Sequence, residues 1–148
     1  MKKILLATVF MIPSLAFAQK QIDSINTNFR WFGPDDKIIV ERYDDPRVQN
    51  VSCYLSRAQK GGVEGWTGFA ENPSNFSIAC RATGPLAVPK DMPKQEVVGF
   101  ASASFFWKTF QIHRAYDDEK QVFVYTVTST KLINGSPFNS ISVVPVYR

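Results

Sequence analysis

The 148-residue chain carries 17 Lys and Arg against 13 Asp and Glu, which gives a formal net charge of +4. This small, dispersed surplus argues against the basic stripe that nucleic-acid binding requires. The length is that of one hydrophobic core of ordinary size. We therefore expect one domain and no nucleic-acid partner.

The N-terminus has the pattern of a bacterial signal peptide. Lys2 and Lys3 precede a short apolar run over residues 4–12, and the small residues Ala16 and Ala18 match the site that signal peptidase requires. The apolar run is too short to cross a bilayer, because a transmembrane helix needs roughly 20 residues. The pattern therefore predicts export rather than membrane anchoring.

Cleavage is expected before Gln19, which makes residues 19–148 the mature domain. Removing residues 1–18, with their two lysines, lowers the net charge from +4 to about +2. The sequence thus predicts a periplasmic protein with no transmembrane segment after cleavage of the signal.

Strand and turn signals alternate through the mature chain. Residues 37–43 read as a strand, the run Asp44-Asp45-Pro46-Arg47 as a turn, and residues 48–55 as the antiparallel partner. Residues 61–75 and 84–93 are rich in Gly and Pro and are predicted to be irregular, apart from a possible short helix near residues 66–71.

Cys53 and Cys80 are the only cysteines, and an exported chain with an even count is normally oxidised. Cys53 alternates with Val51 and Leu55, and Cys80 follows Ile78 with the same period of two, so both sulfurs are predicted to face the core. We therefore expect a structural disulfide. A redox-active pair would have close spacing and an exposed thiol of low pKa.

The C-terminal half contains a clearer hairpin. Residues 105–116 and 121–130 flank the polar turn at 117–120, and a turn at 134–137 leads into a last strand over residues 141–146. The whole pattern predicts a mainly β fold: an antiparallel sheet folded as a sandwich or partly open barrel, with at most one or two short helices.

The glycine-rich segment at residues 61–69 is the first candidate binding element. Its glycines allow a close approach of backbone amides to a ligand, and Trp66 and Phe69 could stack on a sugar or a partner surface. The alternative is that this loop, tethered between the two half-cystines, covers the core.

Asp44 and Asp45, with Arg42, Arg47 and Arg57 nearby in sequence, form the second candidate. Asp in a turn usually accepts backbone hydrogen bonds. Pairing of these carboxylates with arginine could be structural, or it could bind a small polar ligand. Paired carboxylates can also perform hydrolysis when the fold sets them across a cleft.

The single histidine, His113, is predicted to lie in mid-strand on the face opposite Phe110 and Ile112. A catalytic triad needs a nucleophile within hydrogen-bond reach of such an imidazole, and nothing near it in sequence marks one. The sequence therefore predicts no catalytic residue, no metal site and no cofactor.

A set of landmark motifs runs through the mature chain. In chain order they are Gly33-Pro34-Asp35, residues 37–41, Asp44-Asp45-Pro46, residues 53–58, Gly61-Gly62, residues 68–71, residues 78–80, Gly84-Pro85, Tyr116-Asp117, Gly135-Ser136-Pro137 and residues 139–145. The set resembles the CreA family of bacterial periplasmic proteins. The resemblance implies export, a compact single domain and a historical label of catabolite regulation, without an assigned reaction.

Three functions follow as hypotheses. The first is a non-enzymatic, monomeric module that binds a small ligand or an envelope protein through the 61–69 loop and neighbouring aromatic residues. The second is a small periplasmic hydrolase or lyase that uses Asp44 and Asp45. The third is a purely structural envelope factor.

Overall fold

The computed structural model describes residues 19–62, 76–104, 107–130 and 137–147, with side chains except at 101–109. No helix in these ranges is long and apolar enough to span a bilayer. The strands are β1 (Gln19–Asn28), β2 (Asp36–Asp44), β3 (Val51–Gln59), β4 (Phe76–Ala82), β5 (Gln95–Ser104), β6 (Trp107–Asp117), β7 (Val122–Ser129) and β8 (Asn139–Pro145).

The strands form two antiparallel sheets, a first sheet in the order β1-β2-β3-β4 and a second in the order β5-β6-β7-β8. Alternating burial explains why these segments are strands. In β7 the side chains of Phe123, Tyr125 and Val127 are fully buried, whereas the residues between them are half-buried. The predicted fold, mainly β and antiparallel with a sandwich-like arrangement, is confirmed.

The two sheets meet along β4 and β8. The Ile78 amide donates to Ser140 Oγ at 3.3 Å, and the Cys80 amide donates to Ser142 Oγ at 2.8 Å. Serine hydroxyls therefore take the place that backbone carbonyls hold in a regular ladder, and they satisfy edge amides that would otherwise be left without partners.

Apolar side chains from both sheets form one core between them. The Phe76 ring of the first sheet lies 4.7 Å from the Phe110 ring of the second, in an edge-to-face arrangement that aromatic pairs favour. The buried members of this core are Tyr43, Val48, Val51, Cys53, Leu55, Ile78, Val98, Phe110, Ile112, Phe123, Tyr125, Val127 and Val144.

The predicted disulfide is present. Cys53 on β3 lies directly opposite Cys80 on β4, with a Cα–Cα distance of 3.9 Å, and the two sulfurs are bonded. Both side chains pack in or against the core. The bridge therefore joins two neighbouring strands of the first sheet, as their alternation with apolar residues predicts.

Two strands were not predicted. All ten residues of β1 are exposed, so this strand is held by backbone pairing with β2 and carries no apolar alternation that sequence could reveal. In β5, Gly99 and three register shifts break the period of two. The predicted helix near residues 66–71 lies outside the described residues.

A tight clamp joins the turn between β1 and β2 to the end of β3. The Gly62 amide donates to the Pro34 carbonyl at 2.7 Å, and Gly33 adopts a φ of +86°. A Cβ on Gly61 would come within 1.8 Å of the Pro34 oxygen. Only glycine fits there, because the two backbones touch.

Asp36 holds the clamp electrostatically. Its carboxylate accepts bonds from Arg30 Nε and Nη2 at 3.1 and 2.8 Å and from the Gly61 amide at 2.7 Å. These bonds, with the one from Arg30 the largest cause, lower the pKa of Asp36 from 3.8 to about 2.

Because Asp36 binds its proton more weakly in the folded protein, its contribution to stability is present above pH 3.8 and is lost as the pH falls towards 2. We therefore expect Asp36→Asn to lower the melting temperature at neutral pH and to melt like the parent near pH 2. Differential scanning calorimetry across this range measures the difference. Asp118→Asn, in an exposed turn, removes the same charge and is the control, and it should melt like the parent at neutral pH. Equal melting of Asp36→Asn and the parent at neutral pH would contradict the prediction.

Candidate functional site

An open pocket lies on the outer face of the first sheet, where the β2–β3 hairpin turns. Its volume is about 390 Å³. Arg42 and Asp44 are two residues apart on β2, and they face Tyr54 and Ser52 on β3, so all four side chains share one face of the sheet. The full lining is Arg42, Asp44, Asp45, Asn50, Val51, Ser52, Tyr54 and Thr83.

The wall opposite the strands is built by the turn at Asn50. This residue has a φ of +63°, a conformation that Asn tolerates better than most residues. Its carbonyl accepts the Thr83 amide at 2.8 Å, and its Nδ2 donates to the Pro85 carbonyl at 2.9 Å. The turn thereby brings the segment after β4 alongside β3 and closes one side of the pocket.

Arg42 and Asp44 supply the charge in the pocket. Arg42 Nη2 lies 3.1 Å from Asp44 Oδ2, and Ser52 Oγ donates to Asp44 Oδ1 at 2.6 Å. Arg42 Nε is buried and has no hydrogen-bond partner among the described residues. The Arg42 and Asp44 side chains are 34% and 39% exposed, so the pair is open to a ligand, and each Asp44 oxygen keeps further acceptor capacity.

Asp45 belongs to a buried ionic network instead. Its Oδ1 lies 2.6 Å from Arg114 Nη1, and its Oδ2 accepts the Tyr125 hydroxyl at 2.8 Å. The same Oδ1 accepts the backbone amides of Arg47 and Val48 at 2.8 and 2.9 Å. Asp45 thus belongs to the lining at the back of the pocket, but both of its oxygens already accept hydrogen bonds from groups within the protein.

Arg114 is the centre of this network, and its side chain is 0% exposed. Besides Asp45 it pairs with Glu96 through Nη2. Burial raises the pKa of the Tyr125 hydroxyl, and the Asp45 carboxylate raises it further, so the phenol stays protonated and remains a donor. The network ties the hairpin turn of the first sheet to β5, β6 and β7 of the second.

Arg57 lies on the opposite face of the first sheet and does not line the pocket. It forms a fork with Glu41, with Nε 3.1 Å from Oε2 and Nη2 3.3 Å from Oε1, and both side chains are about 95% buried. The Tyr43 hydroxyl also donates to Glu41, at 3.1 Å. The structure therefore does not bring Arg57 together with the aspartates: Asp45 pairs with Arg114, 69 residues away.

The remaining sequence candidates do not add to this pocket. Trp66 and Phe69 lie outside the described residues. His113 lies on β6, and its Nε2 is 3.3 Å from the Oγ1 of Thr128 on the neighbouring strand β7. Within the described ranges, no group of three His, Cys, Asp or Glu side chains could hold a metal ion.

Comparison with known proteins shows to which family the chain belongs. The sequence model described as CreA protein matches residues 22–148. The chain belongs to the CreA family. Proteins called CreA from the K12 and O157:H7 strains of Escherichia coli are 41% identical to it over 147 residues, which covers 97% of this chain and 93% of theirs. No solved structure gives a significant match.

The motifs that carry the CreA resemblance coincide with structural features. Gly33-Pro34-Asp35 and Gly61-Gly62 form the two sides of the clamp. Asp44-Asp45-Pro46 joins the pocket to the buried network, and Cys53 forms the disulfide. The name of the CreA relatives states no substrate or reaction, so function must be argued from the pocket.

Sequence reasoning missed most of the pocket residues, although one signal was present. In an antiparallel hairpin, residues at equal distances from the turn pair across it. Counting outwards from the turn places Ser52 opposite Asp44 and Tyr54 opposite Arg42. Thr83 had no such signal, because its position depends on the bond that it makes to Asn50.

Proposed function

We propose that this CreA-family protein is exported to the bacterial envelope and acts there as a non-enzymatic module that binds a small polar ligand. The N-terminal pattern of charge, apolar run and small residues supports export. The Cys53–Cys80 disulfide supports it independently, because such bonds persist in oxidising compartments.

The observation that carries the binding proposal is the Arg42–Asp44 ion pair, whose side chains are 34% and 39% exposed and line the open pocket. Such a pair can donate and accept charge-assisted hydrogen bonds to a polar ligand. The Arg42 side chain is held in place by Asp44, which is itself held by Ser52. A ligand therefore meets a donor whose position is already fixed.

The other groups in the pocket favour a hydroxylated ligand. Asp44 can accept hydrogen bonds from hydroxyl groups, and Thr83 and Asn50 offer further polar atoms. The Tyr54 ring offers a flat apolar surface. A sugar presents both hydroxyls and an apolar face. We therefore assign the pocket to a monosaccharide unit, free or part of an envelope polymer.

The hydrolase hypothesis is disfavoured by the state of Asp45. Glycoside hydrolysis of the common type needs two carboxylates that can reach the substrate. The Asp45 side chain is 0% exposed, and its oxygens are occupied by Arg114, Tyr125 and backbone amides. Of the two aspartates in the lining, only Asp44 has acceptor capacity left for a ligand, so binding is the function that the geometry supports.

Isothermal titration with glucose, N-acetylglucosamine and glucuronate tests the proposal. We expect at least one of these sugars to bind the parent protein. Arg42→Gln and Tyr54→Ala should each weaken that binding by about tenfold or more, because each removes a fixed contact. Tyr54→Phe keeps the ring and should bind nearly as well as the parent.

Lys37→Gln is the matched control for Arg42→Gln. It removes the same charge from the same strand, but it lies five residues along β2 from Arg42, a distance of roughly 16 Å. It should leave sugar binding unchanged. Failure of all three sugars to bind, or equal binding by Arg42→Gln and the parent, would overturn the assignment.

A further inference from the structure

Three aromatic side chains stand out from the turn that connects β1 to β2. Phe29, Trp31 and Phe32 are 68%, 87% and 82% exposed, and we call them the aromatic turn. Soluble proteins seldom expose a contiguous apolar group of this size without a partner. The turn lies at the end of the first sheet opposite the sugar pocket, so the two features are separate.

The aromatic turn is held by the clamp described above. Arg30, between Phe29 and Trp31, bonds to Asp36 through its guanidinium and to Asp35 through its amide, at 2.9 Å for the latter. The rings of Phe29 and Trp31 lie 5.7 Å apart in an edge-to-face arrangement. The backbone that carries the exposed rings is therefore held in place. Placing the rings against a partner then costs little conformational entropy.

Charged residues of both signs lie at this turn, and the positive ones outnumber the negative ones. Lys37 is the second residue of β2, and exposed Lys60 precedes the clamp glycines. Neither lysine has a carboxylate partner in the part of the chain that the structure describes, whereas Asp36 is neutralised by Arg30. Arg30, Lys37 and Lys60, set against Asp35 and Asp36, leave the end of the sheet that carries the aromatic residues with a net surplus of one positive charge.

We propose that the aromatic turn inserts into the interface of an anionic lipid bilayer, with Lys37 and Lys60 against the headgroups. Trp and Phe prefer the boundary between headgroups and acyl chains, and lysines near a surface are attracted by anionic lipids. This charge complementarity identifies the partner. The inference does not depend on the sugar pocket.

Pairing with a second copy through the edge of β1 fits the observations less well. Register shifts at Gln21/Asp23 and at Asn26/Asn28 divide the pairing of β1 with β2 into two short regular stretches, residues 19–21 and 23–26. Such irregularities are a common device against edge-to-edge association. The three aromatic residues also lie beyond the end of β1, so a strand-paired dimer would leave them uncovered.

Co-sedimentation with vesicles tests the proposal on protein expressed from the full chain. The mass of each variant is measured, so that all variants are compared in the same form with respect to cleavage before Gln19. The parent should bind vesicles of phosphatidylglycerol and phosphatidylcholine more tightly than vesicles of phosphatidylcholine alone. The double variant Trp31→Ala, Phe32→Ala should lose about tenfold or more in partitioning.

The double variant Lys37→Gln, Lys60→Gln should lose about tenfold or more on the anionic vesicles and change little on the neutral ones. Arg42→Gln, which removes one charge at the opposite end of β2, is the control and should bind like the parent. Circular dichroism melting establishes that each variant is folded.

Two results would overturn the proposal. One is equal sedimentation of the parent and the aromatic double variant with anionic vesicles. The other is a concentration-dependent dimer in analytical ultracentrifugation that the aromatic double variant abolishes, without vesicle binding by the parent. That second result would assign the aromatic turn to a copy of the same chain.

Discussion

Replacement of Arg114 by methionine is expected to lower the free energy of unfolding by about 3 to 5 kcal/mol, the largest effect of any single substitution considered. The side chains of Arg114 and Asp45 are both 0% exposed. Without the guanidinium, the Asp45 carboxylate stays buried with only neutral donors around it. Urea unfolding followed by circular dichroism, under conditions that keep the disulfide oxidised, measures the loss.

Two comparison variants make this result interpretable. Lys120→Met breaks an ion pair with Glu119 whose side chains are 69% and 81% exposed, and it should change stability by less than about 1 kcal/mol. Adding Asp45→Asn to Arg114→Met removes the uncompensated charge and should cost less than the two single changes summed. If Arg114→Met unfolds at the same urea concentration as the parent, the network does not stabilise the fold.

Loss of the disulfide should have the second largest effect. The double variant Cys53→Ala, Cys80→Ala is expected to lose about 3 to 4 kcal/mol, because the bond closes a loop between residues 27 apart and restricts the unfolded chain. Both alanines leave the β3–β4 backbone pairing unchanged. The urea midpoint of the variant, compared with that of the oxidised parent, gives the value.

Reduction of the parent by dithiothreitol is the matched control for this double variant. It breaks the same bond without changing the sequence, so it should give a similar loss, and the reductant should have no effect on the variant. A parent protein that is equally stable with and without dithiothreitol would show that the bridge contributes little beyond the strand pairing around it.

The local part of the fold was predictable from sequence. The β2–β3 and β6–β7 hairpins have alternating apolar residues on both sides of a polar turn, and the structure places strands there. The start of β3 differs from the prediction: the strand predicted from residue 48 begins at Val51. The reason is that Asp45 accepts hydrogen bonds from the amides of Arg47 and Val48 and holds them in the turn.

The contacts between the two sheets were not predictable. Arg114 is a charged residue in mid-strand, and periodicity alone places it on the buried face without naming its partner. The partner Asp45 is 69 residues away, and the Tyr125 hydroxyl that joins them is 80 residues from Asp45. Such pairings depend on how the sheets stack, which a single sequence does not encode in a readable way.

The candidate site was predicted in part. Asp44 was identified from its turn, and it does face the pocket. Arg57 was grouped with it because the two are close in sequence, but a strand of alternating residues turns Arg57 to the core side, where Glu41 neutralises it. Nearness along a hairpin thus does not decide which face a side chain occupies.

The order of the strands bears on how the chain matures. Each sheet is a meander whose strands follow one another in the chain, so each can form by pairing of consecutive strands before contacts between the sheets exist. The bond between Arg114 and Asp45 and the bonds of the β8 serine hydroxyls span more than 60 residues and are expected to close last. Because both half-cystines lie within the first meander, the covalent step requires no residue from the C-terminal half.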